Sequence, residues 1–369
     1  MSAAEIPGMG APAPAPGPAT NPAASSVAVS RADEVAAVAA QARQAAGSDP
    51  IRWGILATGG IAARFASDLQ ENLADAVITA VGSRTQEAAS RFAQRFDIKR
   101  AHGSWHALAA DPDVDVIYLA TPHSHHHEAA MLCLRAGKPL LVEKPITLDL
   151  GQAQELVTTA RERGLFLMEA MWTRTLPSIL KMLSLIDQGA IGEVTSVQAS
   201  FGLGMEFEPE HRLRNPALGG GALLDLGVYP VTLAQLLLGD PHQVRAWASL
   251  HPEGTDAQSG IVLGFPSGAV ATLYCGVRGD VRAATIVGTK GRIEYRDGFH
   301  NADSFVLYQG DKAPVTVTTE AAGLHHQAAE VGRCLRAGLT ESPLVPLSAT
   351  LSVMSTLDAV RAQIGVRYS

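Results

Sequence analysis

The amino-acid sequence predicts two ordered domains: an α/β domain with a doubly wound parallel sheet, then an α+β domain with a large, mostly antiparallel β-sheet. A chain of 369 residues is long enough for about two domains. Between residues 51 and 147, short apolar runs alternate with segments of helical periodicity, which favours a parallel sheet with helices on both faces. After residue 194, short β-branched runs follow one another across Gly-containing turns, which is typical of antiparallel strands.

Residues 1–47 are predicted to form a low-complexity N-terminal extension outside both domains. The alternating Ala-Pro run over 11–16 cannot bury enough apolar surface to become ordered. The segment also lacks the basic start and the continuous apolar core of a secretory signal. A disordered tail is the favoured interpretation, and the alternative is an arm that packs on a neighbouring subunit.

The first domain is predicted over residues 48–147, and each of its elements has a local signal. Short apolar runs predict buried strands at 51–56, 77–82, 114–120 and 139–142. Apolar residues at helical spacing predict intervening helices at 61–70, 85–96 and 127–136. Gly137 follows the last of these helices, as expected at a helix C-terminus.

The second domain is predicted over residues 148–369. Two helices, at 148–163 and 176–188, are each followed by a glycine, and three more are predicted at 222–239, 323–337 and 346–363. Alternating β-branched runs predict strands at 194–201, 244–250, 260–265, 269–277, 285–287 and 292–295.

Composition and charge favour a cytoplasmic protein without nucleic-acid or membrane partners. The net charge is -7 and no run of Lys or Arg stands out, so the basic surface of a nucleic-acid binder is not expected. No apolar run reaches the ~18 residues of a membrane span. The three cysteines, Cys133, Cys275 and Cys334, lie far apart in the sequence, which argues against a disulfide framework and fits a reducing compartment.

A dinucleotide-binding turn is predicted directly after the first strand. The fingerprint G-x-G-x-x-G/A between a first strand and a first helix appears here as Ala57-x-Gly59-x-x-Ala62. Gly59 would let the backbone approach the pyrophosphate, and the helix N-terminal amides would hold its charge. Ala57 replaces the first glycine, and its Cβ is expected to limit this residue to negative φ. The predicted cofactor contacts of this turn are Ala57, Thr58, Gly59, Gly60 and Ile61.

The end of the second strand favours NADP over NAD. An NAD-preferring enzyme usually carries an acidic residue there to accept hydrogen bonds from the ribose hydroxyls. This chain has no acid at that point, and Ser83 and Arg84 stand there instead. The guanidinium of Arg84 and the hydroxyl of Ser83 suit a 2′-phosphate.

Four histidines, at positions 123, 125, 126 and 127, follow the strand at 114–120 and invite a metal hypothesis. Adjacent histidines point in different directions, and no carboxylate or Cys set joins them at ligand spacing, so no metal is expected. The better interpretation is a helix N-terminus that lies beside the nicotinamide.

Two further segments carry chemically useful side chains. Lys144, in Glu143-Lys144-Pro145, follows a parallel strand and is placed at the sheet edge where ligands bind in open α/β folds. If 222–239 is helical, Asp225 and Tyr229 stand four residues apart on one face, where both could address a substrate hydroxyl.

These motifs, taken together and in this order, resemble the Gfo/Idh/MocA family of oxidoreductases, most closely its dihydrodiol/D-xylose dehydrogenase branch. The resemblance covers roughly residues 51–368 and rests on Thr-Gly-Gly-Ile-Ala, Ala-Thr-Pro-x-x-x-His, Glu-Lys-Pro and Gly-Gly-Gly-Ala-Leu-Leu-Asp-x-Gly-x-Tyr-Pro. It implies that Lys144, Asp225 and Tyr229 are catalytic. On the same basis we expect cofactor contacts from Thr121, Pro122, His123, His126, Glu143, Lys144, Trp172 and Arg174, and a substrate contact from Arg212.

The resulting functional prediction is an NADP-dependent dehydrogenase or reductase that acts on a sugar, polyol or vicinal diol. Tyr229 is the expected acid or base, with Lys144 lowering its pKa and Asp225 orienting the pair. Whether Lys144 or Tyr229 touches the proton first stays open. The alternatives are an enzyme that keeps and recycles its cofactor and a non-catalytic nucleotide-sensing regulator. A large sheet with few covering helices also predicts a homodimer or homotetramer, as in relatives.

Overall fold

The computed structural model describes residues 49–368, so the extension predicted at 1–47 lies outside the described residues. Within this range the first sheet has six parallel strands in the order β3-β2-β1-β4-β5-β6. The strands are β1 Ile51–Leu56, β2 Ala76–Gly82, β3 Arg100–His102, β4 Val116–Leu119, β5 Leu140–Glu143 and β6 Leu167–Ala170. The order reverses on either side of β1, which is the doubly wound arrangement expected from the sequence.

Helices connect these strands, and side chains cap most of their N-termini. They are α1 Gly60–Asn72, α2 Gln86–Arg95, α3 Trp105–Ala109, α4 His126–Arg135 and α5 Leu150–Glu162. The side chains of Thr85, Ser104 and Asp149 accept backbone N–H bonds at the starts of α2, α3 and α5. Gly59 gives α1 no such cap, so its first amides are available to a ligand.

The parallel sheet extends beyond residue 147, where the sequence places the domain boundary. Strand β6 pairs with β5 in parallel, with Leu140 opposite Leu167, so the chain crosses through α5 and returns to the same sheet. Sequence patterning does not reveal β6 because Glu169 interrupts a very short apolar run.

The second sheet has nine strands in the described part of the chain and is mostly antiparallel, as predicted. Eight strands run in the order β15-β14-β13-β12-β7-β10-β9-β8, and β11 pairs with β7. Within the described part of this second sheet, β7 and β10 form the one parallel pair. The strands are β7 Val194–Leu203, β8 Gln243–Leu250, β9 Asp256–Gly264, β10 Val270–Gly276, β11 Asp280–Val281, β12 Ala284–Gly288, β13 Gly291–Tyr295, β14 Ser304–Gln309 and β15 Val315–Thr318.

One face of this sheet packs on helices, and part of the other is open. The remaining helices are α6 Pro177–Asp187, α7 Val228–Leu238, α8 His325–Arg336 and α9 Leu347–Ile364. Trp247, Val262 and Val270 point away from the core and are 70%, 47% and 42% exposed. The apolar segment Pro216–Leu238 is long enough to cross a membrane, but 89% of its most apolar window is buried inside the protein.

The helix predicted at 222–239 is divided in two. A π-helical turn, Leu223–Gly227, leads into α7. Asp256, on β9, accepts a hydrogen bond of 2.8 Å from the backbone N–H of Leu223 and so fixes the start of this turn. The turn passes close to β10, since a Cβ on Gly227 would lie 2.9 Å from Sγ of Cys275. The fold thereby holds Asp225 and Tyr229 between the second sheet and the first domain.

Candidate active site

A cavity of about 780 Å³ lies between the carboxyl ends of the parallel strands and the second sheet. It runs from the glycine turn after β1 to the side chains of Lys144 and Tyr229. Of the residues predicted to form the site, the following line it: Ala57, Thr58, Gly59, Gly60, Ile61, Ser83, Arg84, Thr121, Pro122, His123, His126, Glu143, Lys144, Trp172, Arg212, Asp225 and Tyr229.

Arg174 is the predicted site residue that the structure places elsewhere. Its Nε donates a hydrogen bond of 2.7 Å to the carbonyl of Leu344, and it lines a separate small cavity beside Glu169. The turn Trp172–Thr175 is a 3-10 helix, in which residues two apart point in different directions. Trp172 therefore faces the large cavity while Arg174 faces the C-terminal helices, contrary to the expectation of a cofactor contact.

In the glycine turn, the backbone conformation of Ala57 differs from the one predicted. Ala57 has φ of +95°, so it adopts the conformation of the glycine it replaces rather than the negative φ expected of a residue with a Cβ. Its N–H donates a 2.9 Å bond to the carbonyl of Gly82 at the end of β2. The sites where Gly59 and Gly60 would carry a Cβ have no atom within 4 Å, so the floor of the cavity is open there.

The end of β2 presents the two residues predicted to select NADP. Ser83 is buried and its N–H donates to the carbonyl of His102 over 3.0 Å, whereas Arg84 is exposed at the cavity edge. Arg64, on the exposed side of α1, lines the same cavity and lies 5.3 Å from the ring centroid of Trp172. Sequence reasoning missed Arg64 because nothing in the helical pattern distinguishes it from a solvated charge.

Two of the four neighbouring histidines, His123 and His126, are buried in the cavity wall. His126 is fully buried, with Nδ1 2.8 Å from the carbonyl of Pro145 and Nε2 2.9 Å from that of Thr121. Nδ1 of His123 lies 3.1 Å from the carbonyl of Gly219. Burial lowers the pKa of His123 to about 3 and that of His126 to about 4, although the two carbonyls beside His126 favour its charged form. Within residues 49–368, no three His, Cys, Asp or Glu side chains are placed to hold a metal ion.

Asp225 lies at the centre of a buried charge cluster. Nζ of Lys144 donates to Oδ1 of Asp225 over 3.0 Å and to its backbone carbonyl over 2.9 Å. Nη2 of Arg212 donates to Oδ2 over 3.0 Å, and Nε2 of His123 lies 3.6 Å from Oδ1. Burial opposes ionisation of Asp225, but the charges of Lys144 and Arg212 outweigh it and hold its pKa well below the ordinary value.

Lys144 is held as a cation in this cluster. Burial disfavours its ammonium group, but Asp225, Tyr229 and Glu143 outweigh that cost and raise the pKa of Lys144. Glu143 accepts the backbone N–H of Lys144 over 3.2 Å and the hydroxyl of the buried Tyr118 over 2.5 Å. The peptide bond between Lys144 and Pro145 is cis. The ammonium of Lys144 is thus held by Asp225 just beyond the carboxyl end of β5.

Tyr229 is buried against aromatic side chains at the same end of the cavity. Its hydroxyl accepts a bond of 3.0 Å from Nε1 of Trp172, and its ring lies 5.2 Å from that of Phe201. Nζ of Lys144 is 5.0 Å from the centre of the Tyr229 ring. Burial raises the pKa of Tyr229 above its ordinary value, and Lys144 offsets only part of that effect. Lys144 thus lowers the pKa of Tyr229, as predicted, but burial outweighs it, so the pKa does not fall below its ordinary value.

The residues present fit a dinucleotide cofactor. The first amides of α1 have no side-chain cap, and the glycine turn leaves open space beneath them. The hydroxyl of Thr121 is buried at the cavity wall and has no hydrogen-bond partner among the described residues. A ligand that runs from the glycine turn to Lys144 would cover both features.

Two successive parts of the chain match models of known protein families. Residues 51–171 match a family model described as an oxidoreductase family with an NAD-binding Rossmann fold, and residues 179–294 match the GFO/IDH/MocA C-terminal domain. The chain is 36% identical to trans-1,2-dihydrobenzene-1,2-diol dehydrogenase of Macaca fascicularis, over 86% of this chain and 98% of the relative. It is 34% identical to D-xylose 1-dehydrogenase (NADP(+)) of Hypocrea jecorina, over 86% of this chain and 93% of that relative.

Solved structures share the fold. A 3-ketoreductase from Actinomadura kijaniata, crystallised with NADP and TDP-benzene, is 30% identical with a TM-score of 0.77, over 86% of this chain and 98% of that one. An aldose-aldose oxidoreductase from Caulobacter crescentus is 23% identical, over 85% of this chain and 97% of that one. Its TM-score of 0.78 shows a common fold.

Proposed function

The chain belongs to the Gfo/Idh/MocA family of oxidoreductases, and on that basis we propose that it is an NADP-dependent dehydrogenase or reductase acting on a sugar, polyol or vicinal diol. One observation carries the proposal. The side chains of Lys144 and Tyr229, with Nζ 5.0 Å from the centre of the ring, line one end of a cavity whose other end is an uncapped helix N-terminus.

NADP is the proposed cofactor. The turn at 57–61 would hold the pyrophosphate, and Ser83 and Arg84 would bind the 2′-phosphate. The loop that begins at Thr121 would lie beside the nicotinamide. When bound, the cofactor supplies the carbon that accepts or gives up hydride. Two relatives support this choice, since the Hypocrea jecorina dehydrogenase is named for NADP(+) and the Actinomadura kijaniata 3-ketoreductase was crystallised with NADP.

Tyr229 is proposed to carry the proton. The indole Nε1 of Trp172 is a donor only, so it must bond to a lone pair of the Tyr229 oxygen. The phenolic proton is then free to point toward a substrate oxygen. As a phenol, Tyr229 protonates the alkoxide when a carbonyl is reduced, and as a phenolate it takes the proton of a carbinol.

Lys144 is proposed to act as a fixed cation rather than as the direct base. Its Nζ already donates two bonds to Asp225, and its pKa is raised, so it stays charged near neutrality. From 5.0 Å over the Tyr229 ring it favours the phenolate over the phenol. Asp225 orients Lys144 and Arg212, and Arg212 is the residue of this cluster most exposed to an incoming substrate.

A direct assay tests the proposal. Purified protein with NADP should reduce the cofactor in the presence of aldoses, anhydro-sugars or cyclic diols, followed at the NADPH absorbance band. Retention of a nicotinamide cofactor through gel filtration would instead favour an enzyme that recycles its cofactor. Absence of turnover in both directions across the panel would contradict the proposal.

A further inference from the structure

His300 lines the cavity, but it belongs to none of the sequence motifs and has no part in the proposed chemistry. It lies in the loop between β13 and β14, where no local pattern distinguishes it. The loop is held on both sides, since the hydroxyl of Thr173 donates to the carbonyl of His300 over 2.9 Å and the N–H of Phe299 donates to the carbonyl of Arg282 over 3.0 Å. The backbone at His300 is therefore well positioned.

The imidazole of His300 is fixed by an aromatic cluster that includes Tyr229. It stacks on Phe201 with ring centroids 4.1 Å apart and an interplanar angle of 27°. The edges of two further rings contact it, with centroids 5.5 Å away for Tyr229 and 6.3 Å for Trp172. All four side chains line the cavity. The imidazole is thus a neighbour of the proposed proton carrier on the wall that the second domain contributes.

The polarity of His300 is unsatisfied within the protein. Its Nδ1 is buried and has no hydrogen-bond partner in the part of the chain that the structure describes. Burial, with smaller contributions from Arg282 and Lys144, lowers its pKa to about 3, so the ring is neutral. A neutral imidazole offers one N–H donor and one lone pair. The ring nitrogen that faces the cavity can therefore either donate to or accept from a substrate hydroxyl, which can take both roles, whereas a carboxylate or phosphate oxygen only accepts.

We propose that His300 recognises the substrate hydroxyl on the carbon next to the one that reacts. The inference rests on the proposed function, because it takes Tyr229 as the group that faces the reacting oxygen. Because the His300 and Tyr229 rings are neighbours, with centroids 5.5 Å apart, the substrate group that His300 would meet is one close to the reacting oxygen. His300 is then a specificity residue that makes vicinal diols and sugars better substrates than simple alcohols.

The test compares trans-cyclohexane-1,2-diol with cyclohexanol, with NADP as oxidant. His300→Phe keeps the ring stack and removes both polar functions. The ratio of kcat/KM for the diol to that for the mono-alcohol should fall by roughly 10- to 100-fold, as expected when a buried polar partner is lost. His300→Asn, which restores a donor and an acceptor, should recover part of the ratio. An unchanged ratio in His300→Phe overturns the inference.

His251→Phe is the matched control. Nε2 of His251 is also buried without a partner among the described residues, but His251 does not line the cavity. This variant should keep the wild-type ratio between the two substrates. The melting temperature of each variant shows that it is folded. A loss of NADP affinity in His300→Phe without substrate would place His300 in the cofactor site and overturn the inference.

A binding measurement separates this inference from the proposed function. Diol affinity for the NADPH complex can be followed by NADPH fluorescence, whether or not turnover occurs. If the wild type binds the diol more tightly than cyclohexanol and His300→Phe abolishes that difference, the inference holds even if no oxidation is seen. If the wild type binds neither compound, or binds both equally, the inference fails.

Discussion

Nε1 of Trp172 donates a hydrogen bond of 3.0 Å to the phenolic oxygen of Tyr229. The bond stabilises the phenolate more than the phenol, because a charged acceptor makes the stronger hydrogen bond. It therefore works with Lys144 against the burial that raises the pKa of Tyr229. Since the pKa lies above its ordinary value, the phenol persists through neutral pH, and oxidation should accelerate as pH rises while reduction should not.

Replacing Trp172 with Phe should shift this pH dependence. The lost N–H raises the pKa of Tyr229 further, so the rise in oxidation rate should move to higher pH by about one pH unit, the value of one hydrogen bond. The measurement is kcat against pH for the wild type and the variant. Trp105→Phe, at a cavity-lining tryptophan that contacts His125 rather than Tyr229, is the control. A Trp172→Phe profile that coincides with the wild type would remove this bond from the mechanism.

Replacing Arg84 with Ala should weaken NADP selectively. We expect a loss of about 1–3 kcal/mol for NADP, because a charge-assisted contact to the 2′-phosphate disappears, and little change for NAD. Calorimetric titration of both cofactors measures the difference. Arg91→Ala, an exposed arginine in the following helix α2, controls for loss of surface charge. Equal affinity of the wild type for the two cofactors would contradict the assignment.

Replacing Ala57 with Gly should stabilise the protein. An Ala at φ of +95° is strained by roughly 1–2 kcal/mol, and glycine relieves that strain at some cost in chain entropy. A net gain of about 1 kcal/mol should raise the thermal midpoint by a few degrees. The control has the opposite sign: Ala63→Gly in helix α1 should lower stability by about 1 kcal/mol. A thermal midpoint of Ala57→Gly below that of the wild type would contradict the prediction and show that the Cβ of Ala57 stabilises the turn.

Strand pattern and motif order predict much of this fold and site, whereas single side-chain directions require the structure. The place of Lys144 at the sheet edge could be predicted because it follows a parallel strand, and the proximity of Asp225 and Tyr229 from their helical spacing, whereas their catalytic roles are implied by the family resemblance. The direction of the Arg174 side chain could not be predicted, since it depends on a 3-10 turn. The place of His300 in the cavity wall could not be predicted either, because it results from packing against Phe201, which is distant in the sequence.

We propose that the open face of the second sheet is a subunit interface. Trp247, Val262 and Val270 lie on this face through the register of β8, β9 and β10, and all are exposed in one chain. A Trp247→Asp variant should lower the mass measured by light scattering at micromolar concentration, because it places a charge in an apolar contact. Trp247→Phe should keep the wild-type mass. A monomeric wild type would contradict this proposal.

Combining Lys144→Met with Tyr229→Phe tests whether the two residues act together. Each single change should lower kcat, Lys144→Met because it removes the cation that favours the phenolate. The double variant should lose much less than the product of the two single losses, as expected of groups that act as a unit. Losses that multiply would show that Lys144 and Tyr229 contribute independently.

The kcat of Tyr229→Phe, measured on the enzyme's best substrate, tests the central claim most directly. The change keeps the ring and leaves the N–H of Trp172 without its acceptor, so a stability loss of about 1–3 kcal/mol should accompany a folded protein with normal NADP affinity. If Tyr229 carries the proton, kcat should fall by about 10²–10⁴, the usual contribution of general acid–base catalysis. A variant with near-normal kcat would contradict the account and leave Lys144 as the group that exchanges the proton.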